Sequence, residues 1–174
     1  MCIIIYKPSG IQMPSERLLD ICQKMNPHGS GFISSTGVSY KGLNYQTFKA
    51  RLSEVTKEEE LIIHFRLATH GSVKRGNCHP FKSKDVYFAH NGILNIMPIG
   101  DKTDSETAFK TIIMPKIEAY GLQSKATQFV INDIRGSSKF AIMQNGLVSL
   151  FGDFTQIRGL YFSNTRFLNS NIYF

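Results

Sequence analysis

The sequence predicts an α+β protein: antiparallel sheet with helices laid over it. Three observations point there. Asn145-Gly146 separates two apolar runs, Lys139–Gln144 and Leu147–Phe151, and this dipeptide readily supplies the positive φ angles of a tight hairpin. A second hairpin is expected where Thr36-Gly37 joins short extended pieces at 32–35 and 38–41. Helical and strand patterns also fall in separate blocks, without the regular strand-helix alternation that a doubly wound parallel sheet requires.

The elements follow in order. Residues 2–6 are a short apolar, β-branched run closed by Pro8-Ser9-Gly10, which reads as a buried strand. Pro14-Ser15 starts a helix whose Leu18, Leu19, Ile21, Cys22 and Met25 recur at helical spacing until Asn26-Pro27. Cys22 is then a core residue. His28-Gly29-Ser30-Gly31 reads as a flexible loop, with His28 structural. Tyr45, Phe48, Leu52 and Val55 predict a helix over 45–55, and residues 57–60 its solvated end or a turn. Leu61–Phe65 is a strand that delivers Arg66 to a long loop, and residues 86–89 form the next strand. Asn91-Gly92 reads as a tight hairpin turn. Thr103-Asp104-Ser105-Glu106 matches a helix capping box, followed by a helix that Pro115 interrupts. Residues 126–134 fit helix or strand, and residues 160–163 add a late strand.

A chain of 174 residues is expected to fold as one domain spanning 1–174. The 42% hydrophobic and 19% charged fractions are ordinary for a globular protein and argue against disorder. No apolar run approaches the roughly 18–20 residues that cross a bilayer, so no membrane association is expected. Met1 leads straight into Cys2-Ile-Ile-Ile with no basic segment ahead of it, and three widely spaced cysteines make no disulfide framework. A cytoplasmic protein is the expectation. The net charge of +7 is spread along the chain, which makes a nucleic-acid partner unlikely to be its cause. Its one concentration, Lys74, Arg75, Lys82 and Lys84, reads as a solvated basic loop, with contact to an anionic partner as the alternative.

Chemistry is densest between His64 and Asn95, which holds four of the five histidines, Cys78, Arg66 and Asn91-Gly92. Such a stretch either builds a site with distant residues or forms a metal knot. Cys2 is a candidate for the former. If Met1 is removed, one residue carries both a thiol and a free amine, and an amine with an ordinary pKa near 7.7–8.0 can take the thiol proton. The bland alternative is a small apolar residue opening a strand.

Six segments carry a resemblance: Met-Cys at the start, N-P-H-G-S-G-F at 26–32, H-F-R-L-A-T-H-G at 64–71, N-C-H-P at 77–80, H-N-G-I at 90–93 and T-D-S-E at 103–106. In order and spacing they resemble the class II glutamine amidotransferase domain, an N-terminal nucleophile (Ntn) hydrolase. The resemblance implies a four-layer αββα sandwich with two antiparallel sheets. It implies that Cys2 attacks the glutamine side-chain amide, forms a γ-glutamyl thioester and releases ammonia. It further implies that Asn91 and Gly92 form the oxyanion hole, that Arg66 grips the substrate α-carboxylate and Asp104 its α-ammonium, and that Thr69 and His70 line the same pocket. His64, Asn77, His79 and His90 match positions with structural duties. No cofactor and no metal are implied.

The chain departs from the family pattern at Leu67, often aromatic, Cys78, often small, and Ala89, often glycine; none removes a catalytic group. Multidomain family members carry a synthase domain that consumes the ammonia, so an acceptor domain is expected either on another chain or not at all. The small size is similar to members encoded by viruses of bacteria. Other readings stay open: a hydrolase of γ-glutamyl peptides or amines, an inactive member serving as scaffold, and a zinc-stabilised nucleic-acid-binding module using His64, His70, Cys78, His79 and His90. Against the last, the tight Cys pair typical of zinc sites is missing.

Overall fold

The structure, a computed structural model, describes residues 1–68 and 71–166. Among the described residues ten strands form two antiparallel sheets. The first has six: β1 (Ile3–Lys7), β2 (Ser30–Ser34), β3 (Ser39–Gly42), β4 (Leu61–Phe65), β9 (Thr155–Ile157) and β10 (Leu160–Phe162), in the order β3-β2-β4-β1-β10-β9. The second has β5 (Phe81–Ser83), β6 (Val86–Asn91), β7 (Lys139–Gln144) and β8 (Leu147–Phe151), in chain order. Helices α1 (Glu16–Met25) and α2 (Tyr45–Leu52) belong to the first sheet. Helices α3 (Asp104–Ala108), α4 (Met114–Tyr120) and α5 (Lys125–Arg135) belong to the second.

Strand alternation sorts the apolar side chains into three layers. Ile3, Ile5, Ile63 and Phe65 face outward and pack against Leu18 of α1 and Phe48 of α2. Ile4, Ile33 and Ile62 face the other way, where they meet Ala89, Ala141 and Met143 of the second sheet. Phe88, Phe140 and Ile142 on the far face of that sheet pack against Phe109, Ile113 and Ile131. Because successive residues of a strand point to opposite faces, strands buried on both sides read as continuous apolar runs. Each buried isoleucine contributes about 1.5–3 kcal/mol. The architecture is therefore helix, sheet, sheet, helix, the α+β arrangement expected.

The sharpest local expectations hold. The Lys139–Gln144 and Leu147–Phe151 hairpin turns through Asn145 (φ 51°) and Gly146 (φ 78°). Ser15 caps α1 by accepting from Leu18 N–H at 3.3 Å, and Cys22 is fully buried. Residues 126–134 lie in a helix. Thr103 caps α3 by accepting from Glu106 N–H at 3.1 Å, while Glu106 pairs with Lys110 at 2.6 Å.

Other expectations are corrected. Ser30 and Gly31 are not loop residues: they pair with Gly42 and Lys41 on one side and with Phe65 and His64 on the other. Glycine at 31 serves close packing, since a Cβ there would run into the backbone oxygens of His79 and Tyr40. Asn91-Gly92 is no hairpin turn. Asn91 ends β6, paired with Lys139 of β7, and the chain leaves at Gly92 toward α3. Pro115 does not stop the helix either. A π-helical turn over Phe109–Ile113, in which Met114 N–H donates to Phe109 C=O, shifts the hydrogen-bond register and places Pro115 at the start of α4, where no amide donor is needed. Helix α2 ends three residues earlier than its apolar spacing suggests, and the short strands β5 and β9 carry too few residues to show a pattern.

Gly31→Ala is expected to lower stability by at least about 2 kcal/mol, because the methyl group meets backbone and not a movable side chain. Urea unfolding of the variant against the parent measures it, and an unchanged midpoint would contradict the tight packing of β2.

Candidate active site

The expected site residues arise at the same edge of the molecule because the strands are antiparallel. In the pairing of β1 with β4, Ile3 lies opposite Phe65, so Cys2 and Arg66 are the next residues out on adjoining strands. One cleft is lined by Cys2, Arg66, Leu67, Gly92 and Asp104, together with Asn77, His79, His90, Thr103 and Ser105. Its enclosed volume is only about 40 Å³, while a cavity of about 210 Å³ on the other side of Gly92 has Met1, Asn91, Ser137 and Lys139 on its walls. Thr69 and His70 lie outside the described residues.

Cys2 is half-buried, and its thiol donates to Leu67 C=O at 3.7 Å. Burial pushes the thiol pKa up, opposed in part by the chain's amino terminus and by Arg66. The segment is held at both carbonyls: Asn26 Nδ2 donates to Met1 C=O at 2.9 Å, and Asn164 Nδ2 to Cys2 C=O at 2.5 Å. Arg66 is buried, and its Nη1 donates to Ser72 C=O at 3.1 Å, which ties Ser72 to the guanidinium. His28, expected to be structural, accepts from Ala68 N–H at 3.0 Å and braces the chain after Arg66.

Asp104 opens α3 and accepts from Ser105 N–H at 2.7 Å and from Leu94 N–H at 2.9 Å. The second bond draws the loop after β6 back over the cleft. Asn91 is buried; its Nδ2 donates to Ser163 Oγ at 2.9 Å, and its Oδ1 has no hydrogen-bond partner among the described residues. Gly92 has φ 147°, and any side chain there would strike Ser138, so only glycine brings this amide to the cleft wall. Ser163 and Asn164 were invisible to sequence reasoning. No motif marks them, and they reach the site only through the pairing of β10 with β1.

Beneath the cleft lie three buried histidines. The His64 and His79 rings pack with centroids 4.2 Å apart, tilted by 32°, and His79 and His90 are 6.5 Å apart. His64 Nε2 bonds His90 C=O at 3.0 Å, and His90 Nδ1 bonds Ser105 Oγ at 2.7 Å. Burial lowers the pKa of His64 to about 3 and that of His90 to about 4, with Asp104 opposing the latter, and burial holds His79 well below the usual histidine range. All three are neutral at pH 7. Among the described residues no group of three or more His, Cys, Asp or Glu is arranged to hold a metal ion, and no helix is long and apolar enough to cross a membrane. The basic cluster is engaged within the chain: Lys74 with Asp101 at 3.0 Å, Lys84 with Glu118 at 2.9 Å, Arg75 with Lys41 C=O at 3.3 Å and Lys82 over the Tyr87 ring at 5.2 Å.

Comparison with known proteins identifies the family and the fold. Residues 44–151 match the model of the family described as glutamine amidotransferases class-II. Over 111 residues the chain is 28% identical to glutamine–fructose-6-phosphate aminotransferase [isomerizing] of Pectobacterium atrosepticum, a match covering 54% of this chain and 18% of that protein. The chain thus spans about a fifth of that relative's length. Among solved structures, glutamine phosphoribosylpyrophosphate amidotransferase from B. subtilis superimposes with a TM-score of 0.57 at 21% identity, covering 93% of this chain and 41% of that one. A structure described as the allosteric regulatory enzyme of purine biosynthesis gives 0.59 at 17%, covering 97% and 43%. At these identities the structural matches speak for the fold.

The buried histidines give the protein a defined acid sensitivity. The folded chain keeps them neutral while the unfolded chain protonates them below its ordinary pKa near 6.5, so stability falls as pH drops from about 6.5 to 4. The slope is up to about 1.4 kcal/mol per pH unit for each histidine that stays neutral. Denaturant unfolding at pH 7, 6 and 5 measures it; equal stability at the three values would contradict neutral burial.

Proposed function

This chain belongs to the class II glutamine amidotransferases, and from that premise we propose that it hydrolyses the side-chain amide of glutamine at Cys2 and releases the ammonia for transfer. The carrying observation is that Cys2, Arg66, Gly92 and Asp104, scattered over 103 positions of sequence, line one cleft. Once Met1 is removed, the Cys2 α-amine takes the thiol proton, and Sγ attacks the amide carbon. The C–O π electrons move to oxygen, where Gly92 N–H and the Asn91 amide donate to the developing charge. Preorganised donors of this kind are each worth about 10²–10³ in rate. Collapse breaks the C–N bond, and the nitrogen leaves as ammonia with the proton that the amine held. Water then adds to the γ-glutamyl thioester, returns the thiol and yields glutamate.

Arg66 and Asp104 account for selection of a free amino acid. The planar guanidinium suits the α-carboxylate and the Asp104 carboxylate suits the α-ammonium, so both charges of the substrate are read. Thr69 and His70 join this pocket by motif alone. Removal of Met1 clears the adjoining wall beside Gly92 as well as freeing the amine. The chain works as a single domain in a cytoplasmic setting, and the acceptor of the ammonia lies outside these 174 residues, on a synthase domain or partner chain.

Purified protein lacking Met1 is expected to release ammonia from glutamine, with activity falling by at least about 10³-fold in Cys2→Ala, since the nucleophile has no substitute. Equal activity in the variant would contradict the mechanism. Faster turnover of γ-glutamyl dipeptides than of glutamine would move the assignment to γ-glutamyl hydrolysis by the same residues.

A further inference from the structure

Two serines touch the cleft machinery from behind, and the more consequential is Ser163. It is fully buried just beyond the last residue of β10. The pairing of Ile5 with Phe162 brings it opposite Ile4, two residues after Cys2. Its backbone N–H donates to Ile4 C=O at 3.0 Å, and its Oγ accepts from Ile4 N–H at 2.8 Å. The same Oγ accepts from Asn91 Nδ2 at 2.9 Å. Its carbonyl accepts from Lys139 Nζ at 2.6 Å, and Lys139 is the β7 residue paired with Asn91. One hydroxyl therefore joins the strand that carries Cys2 to the side chain of Asn91, across 159 and 72 residues of sequence.

Resting on the amide-hydrolysis reading above, we infer that Ser163 is a positioning residue that fixes the orientation of the Asn91 carboxamide relative to Cys2. A serine oxygen has two lone pairs, and Ile4 N–H and Asn91 N–H use both. An amide nitrogen is planar with its two protons about 120° apart, so anchoring one on Ser163 sets the direction of the other. Without the anchor the carboxamide turns about its last side-chain torsion, a soft and roughly two-fold rotation, and presents oxygen as readily as nitrogen to the oxyanion. Asn164 completes the clamp by holding Cys2 C=O at 2.5 Å. The end of β10 thus sets nucleophile and donor in one frame without touching the substrate.

Three variants of the Met1-free protein test this: Ser163→Ala, Ser163→Thr and Asn91→Ala, with the Ser163→Ala/Asn91→Ala pair closing a double-mutant cycle. Ser163→Ala is expected to lower kcat for glutamine about tenfold to a hundredfold, with KM within about twofold, as an effect confined to the transition state requires. Ser163→Thr, which keeps the acceptor, should retain most of the rate. In the Asn91→Ala background Ser163→Ala should add little further loss. Full losses that multiply in the double variant, or a rise in KM with kcat unchanged, would overturn the assignment. A readout independent of turnover is solvent exchange of the Asn91 side-chain amide protons in ¹⁵N-labelled protein. Exchange should be slow in the parent and at least about tenfold faster in Ser163→Ala with the remaining spectrum folded; unchanged exchange would overturn the assignment. If the parent releases no ammonia, the amide-hydrolysis reading fails while the exchange measurement still decides the role of Ser163.

Discussion

The pairing of β1 between β4 and β10 is the constraint on which the rest of the molecule depends. It fixes a strand that begins at the third residue in the middle of a six-stranded sheet, with Ile3 and Ile5 directed to one apolar layer and Ile4 to another. A chain end is ordinarily the part of a domain least tied down. Here the carbonyls of Met1 and Cys2 are each held by an asparagine side chain, so the cysteine at position 2 is as firmly placed as a residue in mid-strand. The antiparallel register then supplies its neighbours: Arg66 continues from β4 on one side and Ser163 from β10 on the other. Residues from opposite ends of the chain meet because strand pairing puts them there.

The second sheet contributes the facing wall, and the layer between the walls is polar at this edge. Farther along, Ile4 and Ile62 pack on Ala89, Ala141 and Met143. Toward the cleft the same layer holds His64 and His79 with their rings packed together, and His64 is bonded to the backbone of His90. Neutral imidazoles fill the space as flat rings, and two of them tie elements together, His64 to the His90 carbonyl of β6 and His90 to Ser105 of α3. Their cost is proton-linked, since burial disfavours the charged form of each. That balance gives the histidine-rich stretch a scaffolding duty beside the cleft that Arg66, Gly92 and Asp104 also line.

Much of this was legible in the sequence wherever local physics decided the outcome. The Asn145-Gly146 hairpin, the Ser15 and Thr103 caps and the doubly buried Leu61–Phe65 strand depend on residues within a few positions of one another. Reading failed where a distant partner overrode local preference. Ser30-Gly31 looks like a loop because glycine and serine favour one, yet two flanking strands and the His79 carbonyl make it a strand that only glycine fits. Asn91-Gly92 has the composition of a turn, but β7 pairs the asparagine and Ser138 leaves room only for glycine beside it. Pro115 breaks a regular helix, and the π-helical turn before it removes the conflict. The cleft residues Cys2, Arg66, Gly92 and Asp104, and Asn91 beside them, came from ordered motifs, not from periodicity. Ser163 and Asn164 came from neither, because their part is written only in the register of β10 against β1.

A nucleophilic thiol at position 2 with a free amine beside it should be marked by an electrophilic glutamine analogue, and mass spectrometry of the treated protein reads the result. The chain offers three thiols, and burial raises the pKa of each, that of Cys22 to about 12. Cys22 and Cys78 are also wholly buried, whereas Cys2 lines the cleft. The predicted result is a single adduct, on a peptide that begins at Cys2 with Met1 gone, and protection of that site by excess glutamine. Labelling at Cys78, or an adduct on Cys2 with Met1 still attached, would contradict it.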